Sequence, residues 1–301
     1  MHVLLTGVSG FVGPRLARNL LAHGHRVSGT WLDSTPPPKI QGIELYHADL
    51  MDMGSLERAI GASSPDAVVN LAGLSHVGES WKHPGDYFRV NVLGTENLLQ
   101  AAEGRKVVVA SSAEVYGMVP EDEQPVSEDR MVDPRSPYAL TKAAAERVAL
   151  FRGAVVARAF NMVGPGQAPN FALPTFAAQL AAIARGDGEP VLRVGNLSAR
   201  RDFVHIDDGA DAFRRLVESG EPGGIYNIAC GRAVSIGEAL DRLRAVSGVE
   251  ARVEADPERM RPVDLPLLTG DSRRLRELGW QPERSLDDAL ADLWQSIRLG
   301  S

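Results

Sequence analysis

The stretch that most constrains this 301-residue chain is its beginning, Val3-Leu4-Leu5-Thr6-Gly7-Val8-Ser9-Gly10-Phe11-Val12-Gly13. An apolar run meets three evenly spaced glycines, after which Leu16, Ala17, Leu20 and Leu21 recur with helical period. That pattern is a strand, a tight turn and a helix. A glycine-lined turn aimed at a helix N-terminus presents backbone N–H groups to an anion, and the helix dipole favours negative charge there. Gly7 allows the tight turn, Gly10 the close approach of a pyrophosphate, and Gly13 the packing of helix on strand. The spacing, G-x-x-G-x-x-G, is one residue longer in its first gap than the general dinucleotide fingerprint. A dinucleotide is expected here, with Phe11 and Val12 against the same ligand.

Composition excludes several classes. A net charge of −7 leaves no basic footprint for nucleic acid or an anionic membrane surface. No apolar run reaches the ~20 residues a membrane span needs. The first strand begins at once, without a positively charged leader, so a secretory signal is not expected. The single cysteine, Cys230, permits no intrachain disulfide and suits a reducing, cytoplasmic setting. It reads as a small buried residue at a strand end. No metal ligands are expected.

Along the chain, residues 25–32 read as a second strand ending at Asp33. An acidic group there can bind both ribose hydroxyls of an adenosine and repel a 2′-phosphate. Asp33 stands two residues beyond the ideal position, which Trp31 holds, and no arginine follows at once. The reading leans to NAD over NADP. A third strand ends at Asp49-Leu50, where an adenine amino group can be bound. The fourth, 67–73, is continuously apolar, as a strand covered on both faces should be. Its end, Leu71-Ala72-Gly73, lets a coenzyme lie against the backbone. A helix through Asn91 and Leu98 and a fifth strand, 106–112, follow. Strands alternate with helices, which predicts an α/β fold, a doubly wound parallel sheet. After a sixth strand, 154–161, the pattern changes. A helix over 175–185, short strands near Val191, a polar stretch over 196–202 and a helix over 203–218 are expected. A strand at 224–229 returns to the sheet, a helix spans 235–246, and a last helix starts at Ser285. The expected organisation is a dinucleotide-binding domain of residues 1–165 plus 203–229. A smaller C-terminal α/β substrate domain takes 166–202 plus 230–301.

The chemistry centres on Tyr138 and Lys142 in Ser136-Pro137-Tyr138-Ala139-Leu140-Thr141-Lys142. Ser136 suits an N-cap and Pro137 a first helical residue. Tyr138 and Lys142 then share a face at i and i+4. A phenol titrates near ~10 in water, and an ammonium one turn away favours the phenolate and lowers that value. The same ammonium can hold the ribose of a nicotinamide. Ser112, at the end of strand five, can hydrogen-bond a substrate carbonyl or alcohol. Tyr–Lys pairs are common on helix surfaces; the glycine turn upstream is what makes this one a proton donor beside a hydride carrier.

These residues resemble a family: the extended short-chain dehydrogenase/reductases that act on nucleotide-diphosphate sugars. The glycine turn, Asp49-Leu50, Asn70-Leu71-Ala72, Asn91 with Gly94-Thr95, Ser111-Ser112, Tyr138/Lys142 and Arg201-Asp202-Phe203 fall in the family's order. The resemblance implies a Rossmann domain for NAD or NADP and a second domain for the sugar nucleotide. It makes Ser112, Tyr138 and Lys142 catalytic. Leu71, Ala72 and Asn91 fall to the coenzyme. Some stretches look closest to GDP-4-keto-6-deoxymannose reductases: Phe160 to Gln167, Val194 to Phe203, and Arg261-Pro262-Val263-Asp264-Leu265-Pro266. That implies a GDP-linked sugar and reduction of its C4 keto group, with dehydration (as in GDP-mannose 4,6-dehydratases) or 4-epimerisation as the alternative. A nicotinamide-sensing binding protein on the same fold is a further rival. Arg201 and Arg261 suit a diphosphate, since guanidinium groups bind phosphate oxygens in pairs. Arg193 and Arg200 are further candidates, Asn161 can hold a phosphate or sugar oxygen, and Asp264 belongs to the same substrate set. Glu114 resembles the residue that removes a proton in dehydratases, while Ala113 replaces the acid of the thymidine-diphosphate-glucose enzymes. The family also implies a homodimer or homotetramer, for which the small residues Ala143, Ala144 and Ala145 permit close helix packing.

Overall fold

A computed structural model describes residues 1–32, 37–260 and 263–299. The first half of the chain runs β1 (His2–Thr6), α1 (Gly13–Ala22), β2 (Arg26–Trp31), β3 (Ile43–His47), α2 (Met53–Ser63) and β4 (Ala67–Asn70). Two short helices, α3 (Val77–Lys82) and α4 (Pro84–Tyr87), lead through a π-helical segment (Phe88–Leu93) into α5 (Gly94–Ala101). Then come β5 (Lys106–Ser112), α6 (Pro137–Phe151) and β6 (Val155–Ala159). The second half holds β7 (Asn161–Val163), α7 (Ala172–Ala184), β8 (Val191–Val194), β9 (Arg200–His205), α8 (Ile206–Ser219) and β10 (Ile225–Ile228). It closes with β11 (Ala233–Ser235), α9 (Ile236–Ser247), β12 (Arg252–Ala255), β13 (Leu267–Leu268), α10 (Arg273–Glu277) and α11 (Leu286–Arg298).

Seven parallel strands form the large sheet in the order β10-β6-β5-β4-β1-β2-β3. Strand order reverses between β1 and β4, which opens a crevice at their carboxyl ends where such sheets take ligands. Every residue of β1 and β4 is buried, because helices cover both faces. Val3, Leu5, Val69 and Val108 pack toward Leu16 and Leu20 of α1 and Phe213 and Leu216 of α8. Leu4, Val68 and Val107 pack toward Leu56 of α2 and Leu98 of α5. Each fully buried leucine contributes roughly 1.5–3 kcal/mol, so the alternation of side chains along the strands fixes both layers. This is the doubly wound α/β fold expected from the sequence.

A small second sheet is built around β9. It pairs antiparallel with β11 and parallel with β13 and β7. Beside it β8 and β12 make a separate parallel pair. Leu180 of α7, Leu240 and Leu243 of α9, and Leu290 and Leu293 of α11 form its core.

Two expectations fail here. The polar stretch 196–202 enters β9 at Arg200, Phe203 continues that strand where a helix is expected to start, and the helix begins only at Ile206. The strand was hidden because its polar residues are buried and paired: five of its six residues are buried. His205 caps α8, its Nδ1 accepting from the Asp207 N–H at 3.0 Å. Segments 161–163 and 203–205, expected with the large sheet, pair with each other in the small one. No helix among the described residues is long and apolar enough to cross a membrane.

Candidate active site

The glycine turn sits at the crevice. Gly7 has φ +64°, and a Cβ there would lie 2.9 Å from Ala72 backbone atoms. At Gly13 a Cβ would come within 2.6 Å of Val8 backbone, so helix and strand touch only because no side chain intervenes. Gly10 differs: it is exposed, and a Cβ would meet only the Gly7 carbonyl, at 3.2 Å. The open face of the turn is therefore at Gly10. Helix α1 has no side-chain cap and no acidic residue in its first turn. An uncapped N-terminus behind a glycine is a setting that fits the pyrophosphate of a dinucleotide. The side chains of Phe11 and Val12 pack against the large core, so what they can offer a ligand is main chain.

A buried chain of polar groups braces the opposite wall. Thr6 Oγ1 donates to Asn70 Oδ1 (2.7 Å), Asn70 Nδ2 to Thr95 Oγ1 (3.2 Å), and Thr95 Oγ1 to the Asn91 carbonyl (2.7 Å). Asn91 Oδ1 accepts from the Leu74 N–H (2.8 Å), while its Nδ2 donates to the Leu74 carbonyl (3.0 Å) and to Thr141 Oγ1 (3.1 Å). Asn91 was expected against the coenzyme. Its amide is instead spent on the 73–74 loop and on α6, so it shapes the site by holding that loop. The π-helical turn around it supplies the extra residue that aims it inward, a distortion common at functional sites. Leu71 and Ala72, partly buried, line the end of β4 beside Gly7. Asp49 Oδ1 accepts from the Met51 N–H (2.9 Å), and the Leu50 side chain packs in the core, leaving main chain at the site. Asp33 lies outside the described residues.

Ser136 caps α6 by accepting from the Ala139 N–H at 3.1 Å, with Pro137 in the first turn. This sets Tyr138 and Lys142 on the face toward β5. Tyr138 shares a hydrogen bond with Ser112, whose Oγ also accepts from the Glu114 N–H (3.2 Å). Burial pushes the Tyr138 phenol up to about 12; the Ser112 hydrogen bond opposes this, and the Glu114 carboxylate and the Tyr87 phenol add to it. The spacing alone had predicted a phenol lowered by Lys142. Lys142 Nζ instead donates to the Ala110 carbonyl at 2.9 Å, and burial pulls the ammonium down to about 8. The phenol accordingly carries its proton at neutral pH. Tyr87, unanticipated from the sequence, packs edge-on against Tyr138 with centroids 6.3 Å apart, and its hydroxyl donates to the His76 carbonyl at 2.6 Å.

The substrate side departs more from expectation. Arg201 is buried and donates to Asp264 (2.6 Å), the Leu265 carbonyl (2.6 Å) and the Arg200 carbonyl (3.0 Å). Asp264 also accepts from Asn196 Nδ2 at 2.8 Å. Arg201 and Asp264, both expected to meet substrate, are thus held against each other. Arg200 pairs with Glu121 at 3.0 Å. Arg193 on β8 and Asn161 at the start of β7 remain exposed. Arg261 lies outside the described residues. Asp202, fully buried, accepts from the N–H groups of Cys230, Gly231 and Gly270 and from Thr269 Oγ1. Burial pushes the Cys230 thiol up to about 12, which keeps it unreactive.

The family model described as GDP-mannose 4,6-dehydratase matches residues 4–293. The chain belongs to that family. Its members and relatives are NAD(P)-dependent nucleotide-sugar reductases, dehydratases and epimerases of the short-chain dehydrogenase/reductase type. Within the family, the chain is 35% identical to GDP-6-deoxy-D-mannose reductase of Pseudomonas aeruginosa, over 98% of this chain and 97% of that one. The solved structure of RMD from P. aeruginosa complexed with NADPH superposes with a TM-score of 0.88 at 33% identity, covering 100% of this chain and 99% of that one. UDP-glucose 4-epimerase of Thermus thermophilus in complex with NAD gives 0.89 at 30% identity, covering 99% of each. The family uses NAD or NADP, and the Gly7–Gly13 turn fits either.

Proposed function

We propose that this chain reduces the C4 keto group of a GDP-linked 4-keto-6-deoxyhexose at the expense of NADPH or NADH. The observation that carries the reading is a buried Tyr138 hydrogen-bonded to Ser112, with the Lys142 ammonium on the same helix face. Reduction of a ketone needs a proton for the oxygen, and a phenol pushed up to about 12 holds that proton at pH 7. The coenzyme, when bound, supplies the hydride to the carbonyl carbon. Tyr138 gives its proton to the carbonyl oxygen, and the Ser112 hydroxyl polarises that oxygen by donating to it. Lys142 stabilises the phenolate left behind and holds the nicotinamide ribose. Asn91 keeps the 73–74 loop clear of both.

Gly7, Gly10 and Gly13, with the main chain of Phe11, Val12, Leu50, Leu71 and Ala72, would hold the coenzyme; Arg193 and Asn161 are open to the sugar nucleotide. The larger sheet with α8 is the coenzyme unit and the β9 sheet with α7, α9 and α11 the substrate unit. The single cysteine suits a reducing, cytoplasmic setting for such an enzyme. A second copy would cover Phe88 and Leu93 of the π-helical turn and Leu140 of α6, which stand exposed on packed neighbours. Ala143 and Ala145 are buried within this chain, so they are not free for such a contact.

Two measurements test the reading. Purified protein given a GDP-4-keto-6-deoxyhexose should consume added NADPH or NADH stoichiometrically. A dehydratase or epimerase recycles its coenzyme and would consume none. Glu114, beside Ser112, is the feature a dehydratase would need, so release of water from GDP-mannose is the competing outcome. Tyr138→Phe should lower turnover about 10²- to 10⁴-fold with coenzyme affinity nearly unchanged; undiminished turnover would overturn the assignment.

A further inference from the structure

Behind the site lies a fully buried ion pair that the reduction as described does not use. Glu146 follows Lys142 by one helical turn, and its side chain and that of Arg158 on β6 are each under 5% exposed, at 3% and 4%. Glu146 Oε1 accepts from Arg158 Nε (3.0 Å) and from Ser111 Oγ (2.5 Å), and Oε2 accepts from Arg158 Nη2 (2.8 Å). Ser111 precedes Ser112 on β5 and stands opposite Arg158 in the register of β5 and β6. One carboxylate therefore joins the helix bearing Tyr138 and Lys142 to the strand end bearing Ser112. Arg158 is held in turn over the Tyr116 ring (4.7 Å) and by the Glu128 carbonyl (3.3 Å).

We propose that Glu146 is a positioning residue for the reaction: it locks Lys142 and Tyr138 to Ser112 and supplies the negative charge that faces the Lys142 ammonium. The proposal rests on the reductase reading. Removing two charges from water is costly, and a well-packed apolar pair would serve stability as well. An ion pair at this place is explained if its charge matters to a neighbour. Burial pulls Lys142 down, and Glu146 is the group that opposes the pull. The other groups around Lys142 and its partners are the Ala110 carbonyl, the Asn91 amide beyond Gly73, and the phenols of Tyr138 and Tyr87 with Glu114. Arg158 partly offsets the carboxylate, but it lies on β6, whereas Lys142 Nζ reaches Ala110 on β5 and the Gly73 loop beyond β4.

The test reads Lys142 directly. Trace acetylation of the whole protein across pH, followed by mass spectrometry of the Lys142 peptide, gives its titration without any substrate. Glu146→Gln should move that titration down by roughly one pH unit, and the alkaline limb of kcat with it. Arg158→Lys disturbs the fork geometry but keeps both charges, so its titration should stay in place while kcat falls. Glu146→Asp should likewise keep the unsubstituted titration, and it serves if Glu146→Gln does not fold. Equal shifts in Glu146→Gln and Arg158→Lys, no shift in Glu146→Gln, or a shifted Glu146→Asp would overturn the proposal. The labelling result stands whether or not the protein oxidises NADPH, so failure of the reductase reading is seen separately.

Discussion

Alanine at Gly10 and alanine at Gly13 should fail in different ways, and the difference is set by what each methyl would touch. At Gly13 the new Cβ lies 2.6 Å from Val8 Cα and O, about 0.8 Å inside the 3.4 Å at which ordinary contact begins. These are backbone atoms between a core strand and its helix, so neither side can yield cheaply. Overpacking of this kind costs about 3 kcal/mol, which for a chain of this size lowers Tm by about 5 °C. At Gly10 the nearest atom is one carbonyl oxygen at 3.2 Å and the residue is not in the left-handed region. Stability should stay within about 1 kcal/mol, since alanine also restricts the unfolded chain. The methyl would stand where a pyrophosphate approaches α1. Losing one charge-assisted hydrogen bond, about 1.5–3 kcal/mol, weakens binding about 10- to 100-fold. Scanning calorimetry and fluorescence titration with NADPH measure the two quantities. Unchanged NADPH affinity in Gly10→Ala would refute the cradle, whatever Gly13→Ala does.

Other expectations follow from the same geometry. Lys142 sits at about 8 in the folded protein against 10.5 in a solvated chain. Between those values the unfolded state binds the additional proton, so stability should rise with pH there, and Lys142→Met should abolish the rise in urea titrations across that range. Asp202→Asn removes an acceptor from a site with four donors and should cost about 2–4 kcal/mol by denaturant unfolding, without weakening coenzyme binding. Phe88→Asp combined with Leu140→Asp should convert the proposed dimer to monomers by size-exclusion chromatography with light scattering; an unchanged mass would overturn that interface.

Features that depend on neighbours in sequence were readable. The Ser136 cap and Pro137 placed the start of α6 correctly, and the apolar runs placed β1, β4 and β5. Features that depend on distant partners were not. Strand β9 reads as a polar stretch running into a helix because Arg201 finds Asp264, and Asp202 finds Gly231 and Gly270, only after the chain has folded back. The Arg201–Asp264 pair joins residues 63 apart in the chain, which no local pattern announces. Helical spacing brought Tyr138 and Lys142 to one face but says nothing of solvent, so the sign of the phenol shift was missed. Glu146 was within reach of sequence reasoning, since extending the Tyr138–Lys142 spacing by four residues arrives at it.

The chain passes between the seven-stranded sheet and the β9 sheet at 159–161, at 205–206 and at 228–233, where the Asp202 carboxylate fastens it to β9, and Leu275 and Trp280 later bring it back to the larger core before α11 joins the smaller one. No single break in the chain can therefore separate the two sheets into two continuous pieces. Any motion of one sheet against the other must bend all of these passages together.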